Sequence, residues 1–201
     1  MRSTKTASSK KIQAVLMAAG QSTRTLPLTE NRPKPLLKIL NKTILEHSIE
    51  AVADFVSEIY IIVNYKKEMI IDFVDNHLKK RFKNIKFNFI YQKETLGTGH
   101  ALLQAEQFIK GKFIVMNGDD LFSRKDIIKC LNFPRVILAK NVDDPSQYGI
   151  LEVQNNKDNS NNNGNNNVGK LINLIEKPKK GSEPSHLANT GFYVLDKGIL
   201  C

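Results

Sequence analysis

Cysteine is scarce. Cys130 and Cys201 are the two in 201 residues, too few for a disulfide framework, which argues against a small stapled secreted domain. A reducing compartment follows, and the cytoplasm is the expected location. No apolar run approaches the ~20 residues that cross a bilayer, so no membrane-spanning segment is expected. The longest N-terminal apolar stretch, Ile12–Ala19, is interrupted by Gln13, which argues against a signal peptide. Two familiar phosphate loops are missing as well. GxGxxG fails where Ser22 stands for its second glycine, and GxxxxGK[ST] has no match. There is no internal repeat.

Acidic residues are the minority, 20 against 30 Lys and Arg, for a net charge of +10. An anionic partner follows: nucleic acid, a membrane surface or a phosphorylated metabolite. The basic residues are scattered, however. Arg2, Lys5, Lys10 and Lys11 lie in the tail, and Lys79–Lys86 reads as a helix end and turn. No aromatic stacking platform accompanies them, so neither nucleic acid nor membrane is expected as the partner.

What remains is a globular mixture, 41% hydrophobic and 25% charged, long enough to bury a core. Residues 1–11 lack large apolar side chains beyond Met1 and read as a disordered basic tail. Residues 155–167, NNKDNSNNNGNNN, also have none to bury and read as a swollen hairpin loop between two strands. Between these segments, short β-branched runs alternate with helical patterns. Strands are predicted at Ala14–Met17, Glu58–Val63, Ile85–Tyr91, Lys112–Met116, Arg135–Ala139, Gly149–Val153, Leu171–Ile175 and Leu187–Leu195. Helices are predicted from Thr43 (with Glu46 completing a capping box), over Lys67–Phe82 and Thr98–Phe108, and from Ser123 with Asp126. The order argues for a largely parallel α/β sheet covered on both faces, with ligands beyond the carboxyl ends of its strands. The segments to inspect are therefore 18–36, 92–100 and 117–122.

The first is AAGQSTRTLPLTENRPKPLL. Small residues Ala18, Ala19 and Gly20 let backbone N–H groups approach a phosphate, and Arg24 adds a bidentate fork. Lys34 lies between Pro33 and Pro35, so its charge is held in place. In the second, Gln92 offers an amide to a pyrimidine edge, Gly97 permits close approach, and Thr98 opens a helix whose N-terminus favours negative charge. His100 is read as packed or hydrogen-bonded. The third, NGDD at 117–120, ends a strand in two acids, a setting for Mg²⁺ shared with substrate phosphates.

Together these segments resemble the sugar-1-phosphate nucleotidylyltransferases, the uridylyl- and thymidylyltransferases that make nucleotide sugars. The family pattern L-A-A-G-x-G-T-R…P-K-P-L-L meets MAAGQSTR…PKPLL, departing at Met17 and Ser22. QKETLGTGHAL (92–102) is similar to the base-reading segment of N-acetylglucosamine-1-phosphate uridylyltransferases. YGILEV, IEKPKK and ANTGFYVL follow in the family's order. The resemblance implies a Rossmann-like three-layer nucleotidyltransferase fold with a mainly parallel mixed sheet over residues 12–201. It implies a nucleoside triphosphate (UTP or dTTP) and a sugar 1-phosphate as substrates, and Mg²⁺ as cofactor. Met17, Ala18, Ala19, Gly20, Arg24, Lys34, Gln92, Gly97 and Thr98 would bind the nucleotide. Arg24, Lys34 and Asp119 would be catalytic, with Asp119 the metal ligand. Gly149, Glu176, Lys177 and Asn189 would take the sugar phosphate. The strand at Leu187–Leu195 has only six residues after it, so an incomplete C-terminus is expected, with a second metal ligand beyond residue 201 and weak turnover from these residues alone. Two other readings are a non-catalytic regulatory or assembly module and a cytidylyltransferase for a phospho-alcohol. Retention of Arg24, Lys34, Asp119 and Lys177 argues against the first, and the E-K-P and N-T-G segments argue against the second.

Overall fold

A computed structural model describes residues 11–20, 25–94, 96–155 and 168–200. The tail to residue 10, Arg24 and most of the Asn-rich segment lie outside them. The chain divides into two compact units, residues 1–136 with 192–201, and residues 137–191.

In the first unit, strands β1 (Ile12–Ala18), β4 (Val56–Val63), β5 (Lys86–Tyr91) and β6 (Phe113–Asn117) are parallel in the order β5-β4-β1-β6. Residues 192–195 pair antiparallel with β6, making the sheet mixed but mostly parallel. A small hairpin, β2 (Lys38–Ile39) with β3 (Lys42–Thr43), precedes the first helix. The predicted strands stand within one or two residues of their expected bounds, because β-branched residues mark them.

Both sheet faces are dry. Val15, Tyr60, Ile62, Phe113 and Val115 form one core with Ala101 and Ala105 of the segment that includes α4 (Thr98–Leu103). Alternation sends Ala14, Leu16, Ile59, Ile61, Ile114 and Met116 to the other face, all fully buried. Helix α1 (Ile44–Val52) buries Ile44, Leu45, Ile49 and Val52, the predicted stripe, and Thr43 Oγ1 accepts from Glu46 N at 3.1 Å. Helix α5 (Arg124–Cys130) starts the same way, with Ser123 Oγ accepting from Asp126 N at 3.1 Å. Each cap satisfies an N–H that the first turn leaves without a partner.

Two helices differ from expectation. The segment from Lys67 is α2 (Lys67–Phe73), a widened π turn (Val74–Leu78) and α3 (Lys79–Arg81). Its buried residues Ile70, Val74 and Leu78 are four apart, a spacing that drifts around a regular helix. A wider turn rotates less per residue and brings Leu78 back to the core. The helix from Thr98 stops at Leu103 and resumes as a 3-10 turn at Glu106–Phe108, with Ala105 fully buried between them.

One polar node sits in the first core. Gln13 is buried, donates to Glu58 Oε2 at 2.9 Å and the Phe108 carbonyl at 3.0 Å, and accepts from Lys110 N at 2.8 Å. Burial pushes the Glu58 carboxyl up, but hydrogen bonds from Lys86 and Gln13 outweigh it and hold the group below its ordinary value.

In the second unit, β7 (Val136–Asn141) carries the Leu138 carbonyl that accepts from Thr190 Oγ1 at 2.7 Å. Strands β8 (Gly149–Asn155) and β9 (Gly169–Glu176) pair antiparallel, with Gly149 opposite Glu176 and a register shift after Glu152. Ala188, in β10 (Leu187–Leu195), pairs with Ile150. Among the described residues no helix is long and apolar enough to cross a membrane.

Candidate functional site

The carboxyl ends of β1 and β6 lie side by side and open a cleft of about 320 Å³. Met17, Ala18, Ala19 and Gly20 line it from β1, and Gln92, Gly97 and Thr98 line it from the segment after β5. These seven are the described residues expected to bind a nucleotide beside Lys34. Arg24 lies outside the described residues.

Gly118 explains how the acidic end is built. Its N–H donates to the Met17 carbonyl at 2.9 Å, and a Cβ there would stand 3.0 Å from Met17 O and 3.3 Å from Ala18 Cβ. Only glycine lets the strand end turn so close against β1. The turn delivers Asp119 to the cleft. Lys34 arrives from a 3-10 turn, Lys34–Leu36, whose Pro33, Pro35 and Leu36 are buried. Lys34 Nζ donates to Asp119 Oδ2 at 2.8 Å, the two side chains 28% and 34% exposed. Residues 85 apart in sequence therefore form one charged pair at the cleft. The carboxylate of the next residue, Asp120, accepts from Asn117 Nδ2 at 3.2 Å.

Gln92 is 3% exposed. Its N–H donates to the Val63 carbonyl at 3.0 Å, and Asn64 Nδ2 donates to its carbonyl at 2.6 Å. Asn64 was missed by sequence reasoning. It follows directly on β4, and inspecting every strand end would have found it. Pro35, Ala101 and Asn117 also line the cleft. Gly97 has φ +97° and ψ 174°, a region essentially reserved for glycine. It is Gly97 that caps α4, and Thr98 is the first helical residue. An added Cβ at Gly20, Gly97 or Gly99 would meet nothing within 4 Å, so open space lies beside these backbones.

The second unit gathers three more expected residues. A Cβ on Gly149 would lie 2.9 Å from Glu176 Oε2 and 3.9 Å from Asn189 Cβ. The missing side chain is what lets the carboxylate lie across β8. Asn189 Oδ1 accepts from Gly191 N at 2.9 Å. Lys177 is left-handed, φ +46°, although it precedes Pro178, and its N–H donates to the Tyr148 carbonyl at 2.9 Å. Such a conformation is costly for a non-glycine residue and concentrates at functional sites.

The sequence pattern of the nucleotidyl transferase family matches residues 13–201. The chain belongs to that family. It is 42% identical over 188 residues to the bifunctional protein GlmU of Methanococcus maripaludis, covering 94% of this chain and 41% of that protein. It is 33% identical over 196 residues to the UTP–glucose-1-phosphate uridylyltransferase AglF of Haloferax volcanii, covering 94% of this chain and 73% of that protein. Its fold matches a crystal structure of UDP-glucose pyrophosphorylase complexed with UDP-glucose. That match has a TM-score of 0.78 and 25% identity, covering 95% of this chain and 78% of the other. The nucleotidyl transferase chain thus spans about two fifths of the length of the GlmU relatives. The α/β architecture with a mixed, mostly parallel sheet agrees with the expected fold class.

Proposed function

We propose that this chain carries the nucleotidylyl-transfer chemistry of a sugar-1-phosphate nucleotidylyltransferase. In the reaction, an oxygen of a sugar 1-phosphate attacks the α-phosphorus of a nucleoside triphosphate. A new P–O bond forms, the bond from the α-phosphorus to the bridging oxygen breaks, and pyrophosphate leaves with that oxygen's electron pair. No protein nucleophile is required. Both reactants are anions, so the protein's task is to align and neutralise them.

The observation that carries this reading is the Lys34–Asp119 pair at 2.8 Å on a cleft walled by small residues. The backbone of 17–20 takes phosphoryl oxygens, and Gln92, Gly97 and Thr98 take the base and its ribose. Lys34 turns from Asp119 to the α-phosphate as charge builds there. The pair is partly solvated, so breaking it costs only about 0–1 kcal/mol. Arg24 is assigned to the triphosphate. Gly149, Glu176 and Asn189 receive the sugar, and Lys177 its phosphate.

Mg²⁺ fits this donor set. Asp119 is a hard oxygen donor, one-third exposed at the cleft. Among the described residues no group of three His, Cys, Asp or Glu gathers to hold a resident ion. That combination suits an ion that arrives with phosphates and takes one or two carboxylates. Asp119 would hold it, and when bound it would withdraw charge from phosphoryl oxygens.

The test is pyrophosphate release from a panel of nucleoside triphosphates against glucose, N-acetylglucosamine and galactose 1-phosphates. Release that needs both a triphosphate and a sugar 1-phosphate supports the reading. No release with any pair, or release with a phospho-alcohol and CTP instead, overturns it.

A further inference from the structure

The side-chain amide of Gln92 is held by two neighbours. Its Nε2 stands 3.5 Å from the Gly97 carbonyl and 3.4 Å from His100 Nδ1. A carbonyl only accepts, so the amide edge toward Gly97 is the NH₂ edge. Its second hydrogen then faces His100 Nδ1, which must accept. The ring is therefore the neutral tautomer with its proton on Nε2. That N–H needs an acceptor in turn. Gln104 Nε2 lies 3.4 Å from His100 Nε2, and a half-turn of the Gln104 amide, with the same heavy-atom envelope, presents its oxygen there. The result is a chain that starts at Gln92, which donates one hydrogen to the Gly97 carbonyl and the other to His100 Nδ1, while His100 Nε2–H donates to Gln104. His100 and Gln104 are one helical turn apart on the segment that opens at α4, so the spacing itself brings them together.

We propose that His100 is a positioning residue that, together with the Gly97 carbonyl, commits both amide hydrogens of Gln92, leaving Oε1 as the one polar group of its side chain offered to the cleft. A lone acceptor at this place selects a base that presents a ring N–H. Uracil and thymine do so at N3. Cytosine presents an N3 lone pair, which Oε1 repels. Without His100 the amide is free to turn and to donate to cytosine N3. The sequence motif supplies the glutamine, but the direction in which it reads is set by the histidine eight residues on. This inference rests on reading the cleft as a nucleotide site.

The experiment compares UTP and CTP binding by calorimetry, in Mg²⁺ buffer, for the whole chain and for His100→Phe, His100→Asn and Gln104→Leu. Phe keeps a ring but has no acceptor. Asn restores an acceptor at the place of Nδ1. Loss of one directing hydrogen bond is expected to lower the UTP-to-CTP affinity ratio about tenfold in His100→Phe. His100→Asn is expected to return it to within about threefold of the parent. Gln104→Leu removes the ring's acceptor without touching the ring and shifts the ratio in the same direction, so it decides the matter if the Phe variant does not fold. A parent that prefers UTP, with the same ratio in His100→Phe and Gln104→Leu, overturns the role of His100 alone. A parent that binds neither nucleotide overturns the nucleotide reading and this inference with it.

Discussion

Replacing Lys34 by alanine separates chemistry from scaffolding. The ammonium makes a 2.8 Å ion pair with Asp119, with the side chains 28% and 34% exposed. A pair so open to solvent contributes about 0.2–1 kcal/mol to stability. The turn that carries it is held by other means: Pro33, Pro35 and Leu36 are buried, Leu36 N donates to Pro33 O at 2.9 Å, and Leu37 N donates to Lys34 O at 3.0 Å. None of these contacts uses the ammonium. Lys34→Ala is therefore expected to cost less than about 1 kcal/mol in urea unfolding. Its effect on the reaction is of another size. A preorganised cation facing developing phosphoryl charge is worth on the order of 10²–10³ in rate, or about 2.7–4 kcal/mol of barrier. Single-turnover pyrophosphate release from UTP and a sugar 1-phosphate reads this even where the parent is slow. Turnover within about threefold of the parent would remove Lys34 from the mechanism. A stability loss above about 3 kcal/mol would show instead that the pair is a structural element.

Other substitutions test the geometry. Gly118→Ala pushes a methyl group onto the Met17 carbonyl and Ala18, at 3.0 and 3.3 Å. Overpacking of this kind should cost about 1–3 kcal/mol, and an unchanged urea midpoint would contradict the close approach. Gly97→Ala meets no atoms but forces a side chain into a glycine-only conformation. A loss of about 1–3 kcal/mol in thermal or urea unfolding is expected, with weaker UTP binding. Gly149→Ala displaces the flexible Glu176 carboxylate, which lies 2.9 Å from the new Cβ. It should raise KM for the sugar 1-phosphate on the order of tenfold and leave KM for the nucleotide alone; equal changes in both would count against the assignment. Glu58 tests linkage. Its carboxyl is held below the ordinary 4.5 in the folded chain, so its contribution is present above that pH and fades as pH falls through the folded value. The Tm gap between parent and Glu58→Gln should be open at pH 7 and narrow as the pH falls below 4.5; a gap independent of pH would exclude the mechanism.

Local chemistry was legible in the sequence, and long-range geometry was not. The caps at Thr43 and Ser123 could be read because a capping box is complete within four residues. Strand positions followed from apolar and β-branched runs, most plainly in the central strands β1, β4 and β6, buried on both faces. Lys34 and Asp119 could be nominated one at a time, but not placed 2.8 Å apart, because no local rule joins residues 85 positions distant. The π turn at Val74–Leu78 answers a packing demand of the core, and a four-residue spacing alone does not announce it. The left-handed Lys177 runs against the local preference of a residue before proline. Asn64 directly follows β4, where the rule that ligands lie beyond strand ends also points, but its 2.6 Å bond to the Gln92 carbonyl joins two strand ends that no local pattern connects.

The most direct test of the central claim, that the ends of β1 and β6 carry a metal-assisted triphosphate site, is UTP affinity with and without Mg²⁺ in the parent and in Asp119→Asn. Mg²⁺ should tighten UTP binding at least about tenfold in the parent and leave the asparagine variant unmoved. An equal response to Mg²⁺ in both proteins would contradict the account.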